Sequence, residues 1–125
     1  MFILYRTNNS KAEPAIPAAM ADLTAVVRVC EANGTVAVLG TIPPRGWTAE
    51  SDPEARFNKH LIELCRKLEI PIAYIFEGFQ EKGPDNRRTY MGNDGVHWTG
   101  EGMAVCGRAW GATLDEMPFV LRDRK

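Results

Sequence analysis

Three short, unbroken apolar runs alternate with helical stripes along this chain, and that alternation leaves few folds open. The runs are Phe2-Ile3-Leu4-Tyr5, Thr35-Val36-Ala37-Val38-Leu39 and Pro71-Ile72-Ala73-Tyr74-Ile75-Phe76. Strands without polar alternation suit a parallel sheet covered on both faces. Between and after them, apolar residues recur at helical spacing: Ile16, Met20, Leu23, Val27 and Cys30, then Phe57, Leu61, Leu64, Cys65 and Leu68, then Met103, Cys106, Trp110 and Leu114. The spacing predicts strands near 2–5, 35–40 and 71–76 and helices near 17–32, 53–69 and 101–114. The punctuation agrees. Pro17 opens the first helix and Asn33-Gly34 closes it. Ser51 or Asp52 caps the second, and Thr99 caps the third.

Strand and helix in strict alternation imply a parallel sheet with right-handed crossovers. In such sheets the ligand site lies beyond the carboxyl ends of the strands. Segments 6–10, 41–52 and 77–97 are delivered to that edge as polar, irregular loops, and they carry Trp47. Trp98 follows directly.

The remaining composition mostly excludes. At 125 residues the chain is one domain, 1–125, with a tail over 115–125. Fifteen basic and 16 acidic side chains nearly cancel, so nothing asks for nucleic acid or an anionic membrane. No apolar run approaches the roughly 20 residues of a membrane-spanning helix. Met1 to Tyr5 lacks the charged leader of a signal peptide, which makes the cytoplasm the default and leaves the compartment unassigned. The cysteines at 30, 65 and 106 are far apart and fall on helical stripes, as buried thiols do. No ligand set for a metal clusters in the sequence, and no cofactor loop is present: Gly100-Glu101-Gly102 has Val105 where a dinucleotide loop needs glycine.

One constellation carries chemistry. In Asn93-Asp94-Gly95-Val96-His97-Trp98-Thr99, a carboxylate and an imidazole stand three residues apart across a glycine turn. An aspartate beside a histidine can hold the Nδ1 proton and leave Nε2 as a general base. The competing reading is a plain turn with a surface histidine. The other histidine, His60, sits at the edge of a helical stripe as a boundary residue. Arg45, Arg87 and Arg88 are loop cations that could meet an anionic group, though solvated charge is their default.

Asp94-Gly95-Val96-His97, followed by Trp98-Thr99 and a helix rich in small residues, resembles the last motif of the SGNH (GDSL-type) hydrolases. Arg6-Thr7-Asn8-Asn9, after the first apolar run, is similar to that family's Gly-x-Asn-Asp motif. The resemblance extends from Met1 to about Leu114 and starts at the family's third strand. It implies a flavodoxin-like three-layer α/β/α fold, truncated here to about three strands and three main helices. It also implies ester hydrolysis without a cofactor. His97 would be the base, Asp94 its orienting partner and Asn8 an oxyanion donor. Trp47 and Trp98 would wall a pocket for a small-molecule ester, of a sugar or a lipid, unless they simply cover core.

The departures are as informative. The family's Gly-Asp-Ser nucleophile motif and its oxyanion glycine are absent. Arg6 and Asn9 replace the glycine and aspartate of the Asn motif. The only serines are Ser10 and Ser51, neither at a nucleophile elbow. The implied protein is therefore either an ester hydrolase domain that needs a complementing segment, or a non-catalytic binding remnant. The strand at 2–5, left with a bare apolar edge, would recruit a homodimer partner or that complementing segment.

Overall fold

The computed structural model describes residues 1–4, 15–44, 53–95 and 97–117. Tyr5, Arg6, Asn8, Asn9, Ser10, Arg45, Trp47, Ser51, Asp52 and the tail from residue 118 lie outside the described residues.

Strands β1 (Phe2–Leu4), β2 (Val38–Gly40) and β3 (Ile72–Ala73) form a parallel sheet in the order β1-β2-β3. Helix α1 (Ala15–Ala32) joins the first two, and α2 (Pro53–Leu68) joins the second and third. After β3 come α3 (Ile75–Gln80), a 3-10 turn at Pro84–Asn86, α4 (Arg87–Tyr90) and α5 (Gly100–Glu116).

The register shows how one sheet builds two cores. Ile3 pairs with Leu39, and Leu39 with Ile72. All three pack against the cluster formed by Ile16, Leu23, Val27, Phe57 and Leu61 of α1 and α2. Neighbouring residues in a strand point to opposite faces. Gly40 and Ala73, the next row, therefore face the other way, towards Ile75, Phe79, Val105 and Cys106 of α3 and α5. Trp110 reaches across this second face: a Cβ on Gly40 would lie 2.7 Å from its ring, and the ring meets that of Phe2 at 4.7 Å between centroids, tilted by 43°. The result is a three-layer α/β/α sandwich.

The first two helices match their stripes. Ile16, Leu23, Val27 and Cys30 are buried on α1, as are Phe57, Leu61 and Cys65 on α2. Gly34, at φ 68°, closes α1 in the left-handed conformation that a glycine adopts without cost.

Three expectations need correction. The run Pro71–Phe76 is not one strand: it leaves the sheet at Ala73 and becomes helical at Ile75. Short apolar runs do not separate a buried strand from a buried helix. Here the four-residue spacing of Ile75 and Phe79, both buried, belongs to the helix. The segment 77–93, expected as a loop, accordingly holds the end of α3, the 3-10 turn and α4. The phase of α5 also differs. Gly102, Val105, Cys106 and Thr113 are its buried residues, while Met103 and Leu114 are exposed. A close backbone approach at Gly102 sets that phase: a Cβ there would sit 2.0 Å from the Tyr90 carbonyl oxygen. The helix continues to Glu116, two residues beyond Leu114. Among the described residues, no helix is long and apolar enough to cross a membrane.

Candidate active site

The loop ahead of α5 is a short hydrogen-bonded hairpin. Met91 and Trp98 form an antiparallel bridge, Gly92 N–H donates to the His97 carbonyl at 2.6 Å, and Thr99 N–H donates to Tyr90 at 3.1 Å. The turn between is closed by Gly95 N–H to the Gly92 carbonyl at 2.9 Å, with Gly95 at φ 67°. A side chain at 95 would strain this turn. Thr99 then caps α5, its Oγ1 accepting from Gly102 N–H at 3.2 Å and donating to the Thr89 carbonyl. One threonine thus ties α4, the hairpin and α5 together.

Asp94 and His97 meet at the end of this hairpin. Asp94 Oδ1 accepts the His97 backbone N–H at 2.9 Å, and Asp94 Oδ2 contacts His97 Nδ1. A carboxylate only accepts, so a neutral imidazole facing it carries its proton on Nδ1. Nε2 is left with a lone pair, on a side chain that is 85% exposed. Asp94 itself is 51% exposed. Chemically, such a pair can take a proton at Nε2 while the carboxylate holds the one on Nδ1, and here it is open to solvent.

Trp98 turns towards the second core, its ring 6.2 Å from that of Phe79. Asn8 and Trp47 fall outside the described residues; of the other sequence candidates, the structure brings Asp94 and His97 together and sets Trp98 against the second core. His60 is exposed on α2.

The loop leaving β2 is fixed by two side chains that pattern reading did not single out. Asn58 of α2 accepts Ile42 N–H at 2.7 Å and donates to the Ile42 carbonyl at 2.8 Å. Thr41 Oγ1 accepts Phe76 N–H at 2.8 Å, satisfying a free donor at the start of α3, and bonds Glu77 Oε2 at 3.1 Å. Asn58 looked like a polar residue on a helix. Only its bonds to a backbone 16 residues away identify it as a clamp. Cys65 and Cys106 are buried in the two cores, and burial pushes both thiols up to about 12. They are too basic to serve as nucleophiles near neutral pH. Among the described residues, no three His, Cys, Asp or Glu side chains gather as a metal site requires.

Solved structures place this architecture. A protein assigned as an SGNH hydrolase from Slackia heliotrinireducens superposes with a TM-score of 0.73 at 17% identity, over 90% of this chain and 64% of its own. A GDSL-like lipase from Bacteroides thetaiotaomicron gives 0.67 at 16% identity, over 91% of this chain and 60% of its own. The fold is that of the SGNH hydrolases. This chain spans less than two thirds of the length of either neighbour. No protein-family model matches the sequence, and no curated protein matches it significantly.

Proposed function

We propose that this chain is the base-bearing part of an SGNH-type ester hydrolase. The Asp94–His97 pair, held on the hairpin before α5 of a fold shared with these hydrolases, carries the reading. In the reaction, His97 Nε2 takes the proton of an attacking serine hydroxyl as its oxygen bonds to the ester carbonyl carbon. The imidazolium, steadied by Asp94, then returns the proton to the departing alkoxide. Asn8 donates its side-chain amide to the oxyanion. The substrate is a carbohydrate or lipid ester.

The nucleophile is the part this chain does not evidently supply, since its two serines are at 10 and 51. We assign it to a complementing segment that docks along the edge of β1 that is unpaired among the described residues, where Phe2 is 49% exposed. The same serine placement supports a second reading, a non-catalytic binding remnant of such a hydrolase.

Hydrolysis of p-nitrophenyl acetate separates them. The chain alone should show at most the residual acceleration of a site without its nucleophile, about 10³–10⁴ over water, and no acyl-enzyme burst. Extending it at the N terminus with the Gly-Asp-Ser-bearing strand and helix of an SGNH hydrolase should raise the rate and produce a burst. His97→Ala should abolish that gain, and Asp94→Asn should lower it by on the order of 10⁴ by favouring the wrong tautomer. An extended chain that stays inert, or is indifferent to His97, favours the binding remnant. Labelling of the unextended chain by a fluorophosphonate at Ser10 or Ser51 would refute the complementing segment.

A further inference from the structure

The approach to the dyad is charged on one side. A cleft of about 500 Å³ opens beside Asp94; Arg87 and Arg88 of α4 form one wall, and Gly92, Asn93 and Gly95 of the hairpin contribute to the other. That volume suits a small-molecule site. Neither arginine has a carboxylate within ion-pair distance among the described residues. The Asp94 carboxylate is already engaged by the backbone and ring of His97.

Two adjacent surface arginines are ordinarily just solvated. What distinguishes these is their mounting. The Thr89 carbonyl accepts from Thr99 Oγ1, the Tyr90 carbonyl from Thr99 N–H, and the Arg87 carbonyl from Met91 N–H at 2.7 Å. The backbone carrying the guanidinium groups is therefore bonded directly to the hairpin carrying the dyad. The separation of the two backbone segments is fixed by these hydrogen bonds, and an anion held by the arginines lies beside Asp94. Guanidinium groups bind carboxylate and phosphate through paired, planar N–H donors, and two of them compensate better for an anion's lost hydration.

We propose that this cleft selects esters that carry an anionic group, a carboxylate or a phosphate, on the acyl or alcohol portion, with Arg87 and Arg88 holding that group. This specificity deepens the ester-hydrolase reading and rests on it for the word ester. The binding itself does not need turnover.

The test is therefore a binding measurement on the chain as it stands. Monomethyl succinate, methyl phosphate and the neutral dimethyl succinate are titrated separately while the backbone amides of Gly92, Asn93 and Gly95 are followed by NMR. The two anions should give saturable shifts at these amides, with the neutral diester at least tenfold weaker. Methyl phosphate binding more tightly than monomethyl succinate would assign the natural group as phosphate, and the reverse order as carboxylate. The R87Q/R88Q variant should lose at least tenfold for the anions, while R87K/R88K, which keeps the charge, should retain part of the affinity. Equal binding of charged and neutral esters, or unchanged anion binding in R87Q/R88Q, would overturn the proposal. Failed hydrolysis by the extended chain alongside intact anion binding would remove only the ester reading and leave the anion site standing.

Discussion

Gly102 sits closer to a carbonyl oxygen than any side chain allows, and the candidate site depends on it. An added Cβ would lie 2.0 Å from Tyr90 O and 3.0 Å from the Trp98 side chain. Gly102→Ala must therefore push α5 away from the hairpin, at a cost of about 1–3 kcal/mol. Gly107 on the same helix has nothing within 4 Å. Gly107→Ala should instead stabilise by roughly 0.5–1 kcal/mol through helix propensity. Urea denaturation of the two variants checks both signs, and the amide shifts of Gly92 and Gly95 should move in the first variant only. The buried thiols make a second prediction. Cys65 and Cys106 have folded values raised from an ordinary 9.0 to about 12. A raised folded value gives stability that is full below the unfolded value and lost as pH climbs towards the folded one. Stability should fall between about pH 9 and 12, and a Cys65→Ser, Cys106→Ser variant should show less of that fall. The Asp94–His97 pair could be read in the sequence because both residues lie within one turn and the pairing is local. Arg87 and Arg88 could be read only as cations. Nothing in their own neighbourhood says that Thr99 bonds the helix they stand on to the dyad.

Between elements, the readable signal was periodicity, and it failed where periodicity is silent. The stripes of α1 and α2 are set by side chains large enough to announce themselves. On α5 the buried face includes Gly102 and Thr113, which a hydrophobic stripe ignores. Met103 and Leu114 drew the expected face to one side, and both are exposed. The run at 71–76 failed differently, since a strand that turns into a buried helix has no polar residue to mark the change. The clamp between α2 and the loop after β2 was invisible for a third reason: it is a polar side chain bonding a distant backbone. Its worth can be measured. Ile42 is fully buried, and Asn58→Ala leaves both its N–H and its carbonyl without their partner. Each buried unpaired group costs about 1–3 kcal/mol, so the variant should lose on the order of 2–6 kcal/mol. Asn58→Asp, which sets a buried carboxylate oxygen against the Ile42 carbonyl, should lose at least as much at neutral pH. A loss under 1 kcal/mol in chemical denaturation would show that the loop finds other partners.

For the molecule as a whole, the sheet has an edge that its sequence does not protect. Among the described residues, β1 pairs with β2 on one side only. Unpaired edges are usually blunted by charge, proline or a bulge, and Phe-Ile-Leu offers none of these. Beside it, Met1, Val26 and Val29 line an apolar groove of about 410 Å³. Val29 is 62% exposed on α1, so the apolar surface continues from the strand onto the helix layer. The apolar run at 2–5 could be read as a strand from its residues, but its place at an edge came only from the family resemblance, because inner and edge positions favour the same residues. Strand and groove together should drive association, either with a second copy or with a complementing Gly-Asp-Ser segment. Light scattering should show a concentration-dependent dimer of the chain alone. Val29→Lys should shift it to monomer and leave the melting temperature of the dilute, monomeric protein unchanged, since Val29 is outside both cores. Adding the complementing segment as a separate peptide should also dissociate the dimer if the two compete for one edge. A monomer that stays dispersed at high concentration, and that ignores the peptide, would mean that the edge of β1 is not a docking surface. The nucleophile would then have to reach the Asp94–His97 pair by another route.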